Sequence, residues 1–197
     1  MEEQFGIILL AAGSSSRLGS PKQSLVYRET TLLKHSIQVA LGSTAQQVIV
    51  VLGAGAETIQ PAIEDDRLGF IINDQWQEGI AASIRAGLQY LLNQKPAVQN
   101  VLFMACDQPY ISIDLLDKLV TLQKKTGHAI VASKYAGTAG IPAIFAKKLF
   151  PELLQLRGDA GAKKLIMQQQ DEVTTVSFPL GDIDIDTKAD YENLRKM

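Results

Sequence analysis

The residues with most chemistry to offer stand in one run, Phe5-Gly-Ile-Ile-Leu-Leu-Ala-Ala-Gly-Ser-Ser-Ser-Arg-Leu-Gly-Ser-Pro-Lys22. Its apolar part, Phe5 to Leu10, reads as a buried strand. The run then breaks into small residues, with Gly13 and Gly19, and two cations, Arg17 and Lys22. Glycine supplies φ > 0 turns whose successive N–H groups converge on an anion, and small side chains let a phosphate approach the backbone. Arg17 offers a planar fork to phosphate oxygens, and Lys22 a mobile point charge. The pattern proposes a nucleoside triphosphate site at the end of the first strand, set against the plainer reading of a strand-to-helix turn rich in Gly and Ser. It is not a P-loop, because Ser20 and Pro21 follow Gly19 where Lys and Ser/Thr belong, and no G-x-G-x-x-G is present.

Carboxylates supply the second signal. Phe103-Met-Ala-Cys-Asp-Gln-Pro109 is an apolar strand ending in Asp107, placed to hold Mg²⁺, a hard cation that prefers carboxylate oxygen and bridges to phosphates. The alternative is a turn or N-cap aspartate ahead of Pro109. In Gly181-Asp-Ile-Asp-Ile-Asp-Thr187, Asp182, Asp184 and Asp186 would share one face of a strand. That is either a solvated edge strand or, at Asp186, a metal ligand; Asp186 could instead cap a terminal helix. Asn73-Asp-Gln-Trp76-Gln-Glu-Gly79-Ile-Ala-Ala-Ser83 follows a strand and opens a helix whose small residues bare donor N–H groups. Trp76 there is either a packing residue or a platform for a base. Leu156-Arg-Gly-Asp-Ala-Gly-Ala162 is another glycine-rich helix entry. Its neighbours Arg157, Lys163 and Lys164 face either an anionic substrate or solvent. Gly53-Ala-Gly-Ala reads as a short turn, and His35 and His128 have no metal-ligand spacing. No protein nucleophile is evident: Cys106 has no recognisable His or Asn partner, and no G-x-S-x-G elbow occurs.

The elements that must position these groups follow from periodicity. Strands are expected at Gly6 to Leu10, Gln47 to Leu52, Gly69 to Ile72, Asn100 to Ala105, Ala129 to Ala132, Pro142 to Phe145 and Val173 to Ser177. Helical spacing covers Leu32 to Leu41, Glu57 to Ile63, Ile80 to Leu92, Ile113 to Lys124 and Ala160 to Gln169. Thr30-Thr31 and Ser112 supply caps. Lys134 to Ile141, rich in Gly, Ala and Thr, reads as a loop. The alternation predicts an α/β fold, a doubly wound, mostly parallel sheet with helices on both faces, whose ligands sit at the carboxyl ends of the strands.

Composition narrows the function further. The 197 residues suit one domain, residues 1–197, and 46% hydrophobic content excludes a disordered chain. A net charge of −2, with only paired lysines, argues against nucleic-acid binding by a basic face. Apolar runs fall short of the roughly 18 to 20 residues a membrane span needs. Met1-Glu-Glu is acidic where a signal peptide would be basic. With Cys106 the lone cysteine, no disulfide forms within the chain, and a cytoplasmic location is expected.

Leu10-Ala-Ala-Gly-Ser-Ser-Ser-Arg-Leu-Gly-Ser-Pro-Lys22 resembles the L-A-A-G-x-S-x-R-x-G-x-x-K signature of the nucleotidyltransferases of molybdenum cofactor biosynthesis. The opening signature is shared with sugar-phosphate and methylerythritol cytidylyltransferases. The resemblance also runs through Asn73, Trp76, Gly79, Ser83, the Cys106-Asp-Gln-Pro109 box, Tyr135 to Phe145, Leu156 to Ala162 and Asp184-Ile-Asp-Thr187; the Cys-Asp-Gln-Pro box with Gly158-Asp-Ala-Gly-Ala162 is much more specific. Ala11-Ala12-Gly13 is similar to the cytidylyl branch, the guanylyl branch having Ala-Gly-Gly. Lys188 departs from a usual Pro and Leu18 from a usual Met. The resemblance implies a Rossmann-like nucleotidyltransferase fold and transfer of CMP from CTP to the terminal phosphate of molybdopterin, with pyrophosphate released. It implies nucleotide binding by Leu10, Ala11, Ala12, Gly13, Ser14, Arg17, Lys22, Asn73 and Ser83. Arg17, Lys22 and Asp107 would be catalytic, and Asp107 and Asp186 would hold Mg²⁺. Gly140, Pro142, Gly158, Asp159 and Gly161 would face the pterin, and the product would pass to a molybdoenzyme or its maturation chaperone. Two other readings stay open: a cytidylyltransferase for a sugar or polyol phosphate, and a non-catalytic nucleotide- or cofactor-binding accessory of a molybdoenzyme.

Overall fold

A computed structural model describes residues 4–63 and 65–196. The strands are β1 Phe5–Ala11, β2 Val26–Tyr27, β3 Thr30–Thr31, β4 Gln47–Leu52, β5 Leu68–Ile72, β6 Asn100–Ala105, β7 Ile130–Tyr135, β8 Thr138–Ala146 and β9 Val173–Ser177. The α-helices are α1 Leu32–Leu41, α2 Ala56–Ile59, α3 Ile80–Gln94, α4 Ile113–Thr126, α5 Phe150–Gln155, α6 Ala162–Gln168 and α7 Lys188–Leu194. Seven strands form one sheet in the order β5-β4-β1-β6-β8-β7-β9. Only β8 runs against its neighbours, so the sheet is mostly parallel, and β2 and β3 pair in a separate two-stranded ribbon.

Every residue of β1 is buried, as an unbroken apolar run demands of a strand covered on both faces. Its side chains alternate between two cores. Ile7, Leu9 and Ala11 join Leu33 and Ile37 of α1 and Leu115, Leu116 and Leu119 of α4. Ile8 and Leu10 join Ile84 and Leu88 of α3, Leu153 of α5 and Leu165 of α6. A third, smaller cluster of Leu18, Tyr27, Leu32, Ile185 and Leu194 welds the segment after β1 to the C-terminal segment. Side-chain caps start α1 and α4: Thr31 Oγ1 accepts from the Lys34 N–H, and Ser112 Oγ from the Leu115 N–H.

From β1 the chain builds outward through β4 and β5, then returns to place β6 on the other side of β1. The strand order therefore reverses between β1 and β6, and the crevice beyond their carboxyl ends is where such sheets bind ligands. Leu10 to Ser14 leave β1 there, and Asp107 follows β6.

Three expectations require correction. Lys134 to Ile141 is no loop but the tip of a β7–β8 hairpin, turned by Ala136 and Gly137 at φ 44° and 73°. Two successive positive φ values are what a tight hairpin turn requires, so the small residues there mark a turn within strands. Asp182, Asp184 and Asp186 do not share a strand face, because residues 183 to 186 adopt no regular structure. Gly181 is folded beneath the rings of Tyr135 and Phe178, where a Cβ would collide with both. Helix α5 was not expected; it is short, and Pro151 in its first turn favours the start. Among the described residues no helix is long and apolar enough to cross a membrane.

Gly87 lets α3 lie close on the sheet, since a Cβ there would come 2.6 Å from Ile8 Cγ2 and 2.8 Å from Val51 Cγ2. Gly87→Val should therefore destabilise the protein by about 1–3 kcal/mol through overpacking, read as a lowered urea midpoint at unchanged slope.

Candidate active site

The loop after β1 turns its carbonyls into the protein. Gln23 Nε2 donates to the Ala11 oxygen at 2.7 Å and the Gly13 oxygen at 3.1 Å, and the Ala54 N–H donates to the Ala12 oxygen at 3.2 Å. With three successive carbonyls engaged, the loop is left to offer its amide side to the crevice. At Gly13 a Cβ would meet nothing within 4 Å, so the backbone there is open to a ligand. At Gly53, by contrast, a Cβ would lie 2.7 Å from the Ala12 oxygen and 2.8 Å from Trp76 Cβ. The short turn at Gly53 thus gains a supporting role. Ser15, held at φ 54°, accepts the Lys22 N–H with its hydroxyl at 2.9 Å, which fixes the base of the Lys22 side chain.

Two carboxylates distant in sequence meet this loop. The Ile185 N–H donates to the Asp107 carbonyl at 3.0 Å, and the Ile185 side chain is fully buried in the third cluster, so Asp186 is carried to the side of Asp107. Asp186 does not cap α7. Thr187 and Asp190 form the capping box, and Asp190 Oδ2 also accepts the Asp186 N–H at 3.2 Å. Lys188 simply occupies the first helical position.

Lys22 Nζ stands between the acids, 2.8 Å from Asp107 Oδ2 and 2.8 Å from Asp186 Oδ1. Arg17 reaches the other oxygen of Asp186 at 2.8 Å. Partial burial works against the Lys22 charge, yet the two carboxylates raise its pKa above the ordinary lysine value. The same hydrogen bond from Lys22, with Arg17 behind it, lowers the pKa of Asp186. Asp184 has no such partner: partial desolvation, then the nearby charges of Asp107 and Asp186, push its carboxyl up to about 6. Burial pushes the Cys106 thiol up to about 12, so it carries no thiolate near neutrality.

The donor set suits a hard divalent cation. Oxygens of Asp107 and Asp186 already converge on one positive charge, and Mg²⁺ is typically held by one or two carboxylates with phosphate and water completing the octahedron. Among the described residues no group of three or more His, Cys, Asp or Glu could hold a metal ion.

These groups open into a cleft of about 350 Å³ lined by Leu10, Ala11, Ala12, Gly13, Ser14, Lys22, Trp76, Ser83, Asp107 and Asp159, among others, a volume in the range of small-molecule sites. Trp76 lines the cleft and packs against the second core, as the packing reading expects. Asn73 is buried behind the wall, where its Nδ2 donates to Ser83 Oγ at 3.0 Å; it positions Ser83 and does not face the cleft. The loop at Gly158 and Asp159 closes the far side, with the Gly158 carbonyl accepting the Ala81 N–H at 3.1 Å. Gly161 packs on Ile80. Gly140 and Pro142 are not brought to the cleft. Both lie in β8, Gly140 crowded by the Tyr135 hydroxyl and the Pro142 carbonyl accepting from Ser133 Oγ at 2.7 Å. Arg157 caps α5 through the Leu156 carbonyl at 3.0 Å, and Lys163 and Lys164 are exposed on α6. Gln23, 1% exposed, escaped the sequence reading, since a glutamine after a lysine carries no signature of burial.

Residues 7–173 match the family described as the MobA-like NTP transferase domain. The chain is 27% identical to nicotine blue oxidoreductase of Paenarthrobacter nicotinovorans over 82% of its own length and 81% of that protein's. It is 24% identical to the molybdenum cofactor cytidylyltransferase of Escherichia coli K12, covering 93% of this chain and 92% of the relative. Among solved structures, Rv0371c of Mycobacterium tuberculosis superposes with a TM-score of 0.87 at 31% identity, covering 98% of each chain. Rv0371c has also been solved in complex with manganese, where the TM-score is 0.80 at 29% identity and the coverage again 98% of each chain.

Replacing the Gln23 amide tests how far the loop depends on it. Gln23→Leu leaves the Ala11 and Gly13 carbonyls without their donor and should cost roughly 1–3 kcal/mol, measured by urea denaturation; a change within error would show that the loop holds its shape without Gln23.

Proposed function

Because the chain belongs to the MobA-like NTP transferase domain family, and is accordingly a nucleotidyltransferase, we propose that it transfers CMP from CTP to the terminal phosphate of molybdopterin or its molybdenum-loaded form. One observation carries this reading: the loop after β1, Lys22 and Asp107 line the crevice where the strand order reverses, and Asp186, paired with Lys22 and Arg17, converges on the same point. Similarity to the Escherichia coli cytidylyltransferase supports the choice of substrates, as does Ala12 where the guanylyl branch has glycine.

In the proposed reaction an oxygen of the acceptor phosphate attacks the α-phosphorus of CTP. One P–O bond forms, the bond to the β-phosphate breaks, and pyrophosphate leaves. The acceptor is its own nucleophile, which accords with the buried, protonated Cys106. What remains for the protein is positioning and charge neutralisation. The amides of Gly13 and Ser14 receive phosphate oxygens, and the backbone from Leu10 to Ser14, with Ser83 held by Asn73, surrounds the base. Lys22 and Arg17 offset the charge that grows on the leaving pyrophosphate. Asp107 and Asp186 are the residues that would hold Mg²⁺, and the manganese complex of Rv0371c supports a divalent ion. When bound, such an ion withdraws electron density from the phosphoryl oxygens. Gly158, Asp159 and Gly161 form the wall proposed to meet the acceptor.

A pyrophosphate-release assay with molybdopterin and each of the four nucleoside triphosphates tests the proposal. CTP should be the substrate used, and release with a sugar or polyol phosphate in place of molybdopterin would reassign the acceptor. Asp107→Ala should lower turnover by at least roughly 10²–10³-fold, the scale for losing one transition-state stabiliser, with circular dichroism unchanged. Calorimetry should find CTP bound more tightly than GTP; equal affinities would remove the assignment of the base.

A further inference from the structure

We infer that Lys22 is a removable counter-ion that occupies the metal position itself, so that its ammonium must leave before a divalent cation can enter. This rests on the reading of Asp107 and Asp186 as the metal-holding pair. The geometry is specific. A single nitrogen lies 2.8 Å from an oxygen of each carboxylate, at the point where the two converge. Both oxygens of Asp186 are engaged by cations, Oδ1 by Lys22 and Oδ2 by Arg17. Magnesium binds carboxylate oxygen at about 2.0–2.1 Å, and it cannot share that point with an ammonium in contact with the same oxygens.

The exchange needs no rearrangement of the loop. The Lys22 backbone is anchored by Ser15 Oγ, while its flexible four-carbon stem can swing the charge elsewhere, which a bidentate arginine would do less readily. A triphosphate supplies the destination, because its oxygens offer the ammonium several negative charges at once. Departure without replacement is disfavoured, as it would leave the Asp107 and Asp186 carboxylates facing each other across a partly buried gap. The pair therefore holds either Lys22 or a metal ion.

The test is Mn²⁺ binding to the nucleotide-free protein, followed by the electron paramagnetic resonance signal of the free ion. Lys22→Met and Lys22→Gln, the latter keeping an amide donor toward the carboxylates, should each bind Mn²⁺ about tenfold more tightly than wild type, within the usual range of coupling between two ligands. Affinity equal to or weaker than wild type in the folded variants overturns the inference. Wild type alone gives a second readout. Acetylation of Lys22 by acetic anhydride, quantified by mass spectrometry against the exposed Lys163, should rise as Mn²⁺ saturates the protein, and labelling that stays constant overturns the exchange. No nucleotide or acceptor is present in either measurement, so a wrong assignment of CTP or molybdopterin would leave both results standing.

Discussion

Two carboxylates held within reach of one ammonium are the constraint around which the rest of this molecule is arranged. Asp107 and Asp186 repel each other, and bringing like charges together is favourable only if a cation joins them. The chain meets that requirement by fastening each partner through its backbone. Asp107 follows the buried strand β6, Asp186 is drawn in by the Ile185 N–H and the buried Ile185 side chain, and Lys22 is pinned by Ser15. The third hydrophobic cluster has its meaning here: Leu18 comes from the segment after β1 and Ile185 and Leu194 from the C-terminal segment, so apolar packing keeps the acids and the lysine in register. The electrostatics then follow from neighbours. Asp186, hydrogen-bonded to two cations, is held in its charged form, while desolvation and the charges of Asp107 and Asp186 outweigh Lys22 at Asp184 and push its carboxyl the other way.

What the sequence made legible was whatever rests on a local period or a local cap. The buried strands β1, β4 and β6 are unbroken apolar runs, α1 and α4 announce themselves through Thr31 and Ser112, and β4, β6 and β9 lie where periodicity put them. The errors share a different cause. Asp182, Asp184 and Asp186 alternate as on a strand, yet Gly181 must pass under Tyr135 and Phe178, a tertiary contact no local pattern encodes. The glycines and alanine after Tyr135 look like a loop because composition does not reveal that the turn is only two residues long. Asn73, Gly140 and Pro142 belong to recognisable motifs yet lie outside the lining of the cleft, since a motif marks positions without saying whether they touch a cleft or build its wall. Gln23 was missed for the converse reason, since its importance arises only when the chain folds back onto Ala11 and Gly13.

The opposite wall of the cleft shows how its two sides are made one body. Gly79 sits at φ 100°, and a Cβ there would come within 2.5 Å of the Gly158 oxygen and the Asp159 carboxylate, so the segment entering α3 and the loop before α6 lie in backbone contact. The Ala81 N–H bonds across this contact to Gly158. Arg85 then ties the same two segments from behind, donating to the Leu156 carbonyl at 2.6 Å and pairing with Glu78 at 3.1 Å. A side chain that satisfies a helix-end carbonyl and a carboxylate at once restrains both far more than an exposed ion pair would. Reactions without a protein nucleophile depend on holding two substrates in line, and misplacement by about 1 Å can cost two orders of magnitude in rate. Joining the wall near Ser83 to the wall near Asp159 makes the angle between them a property of the fold.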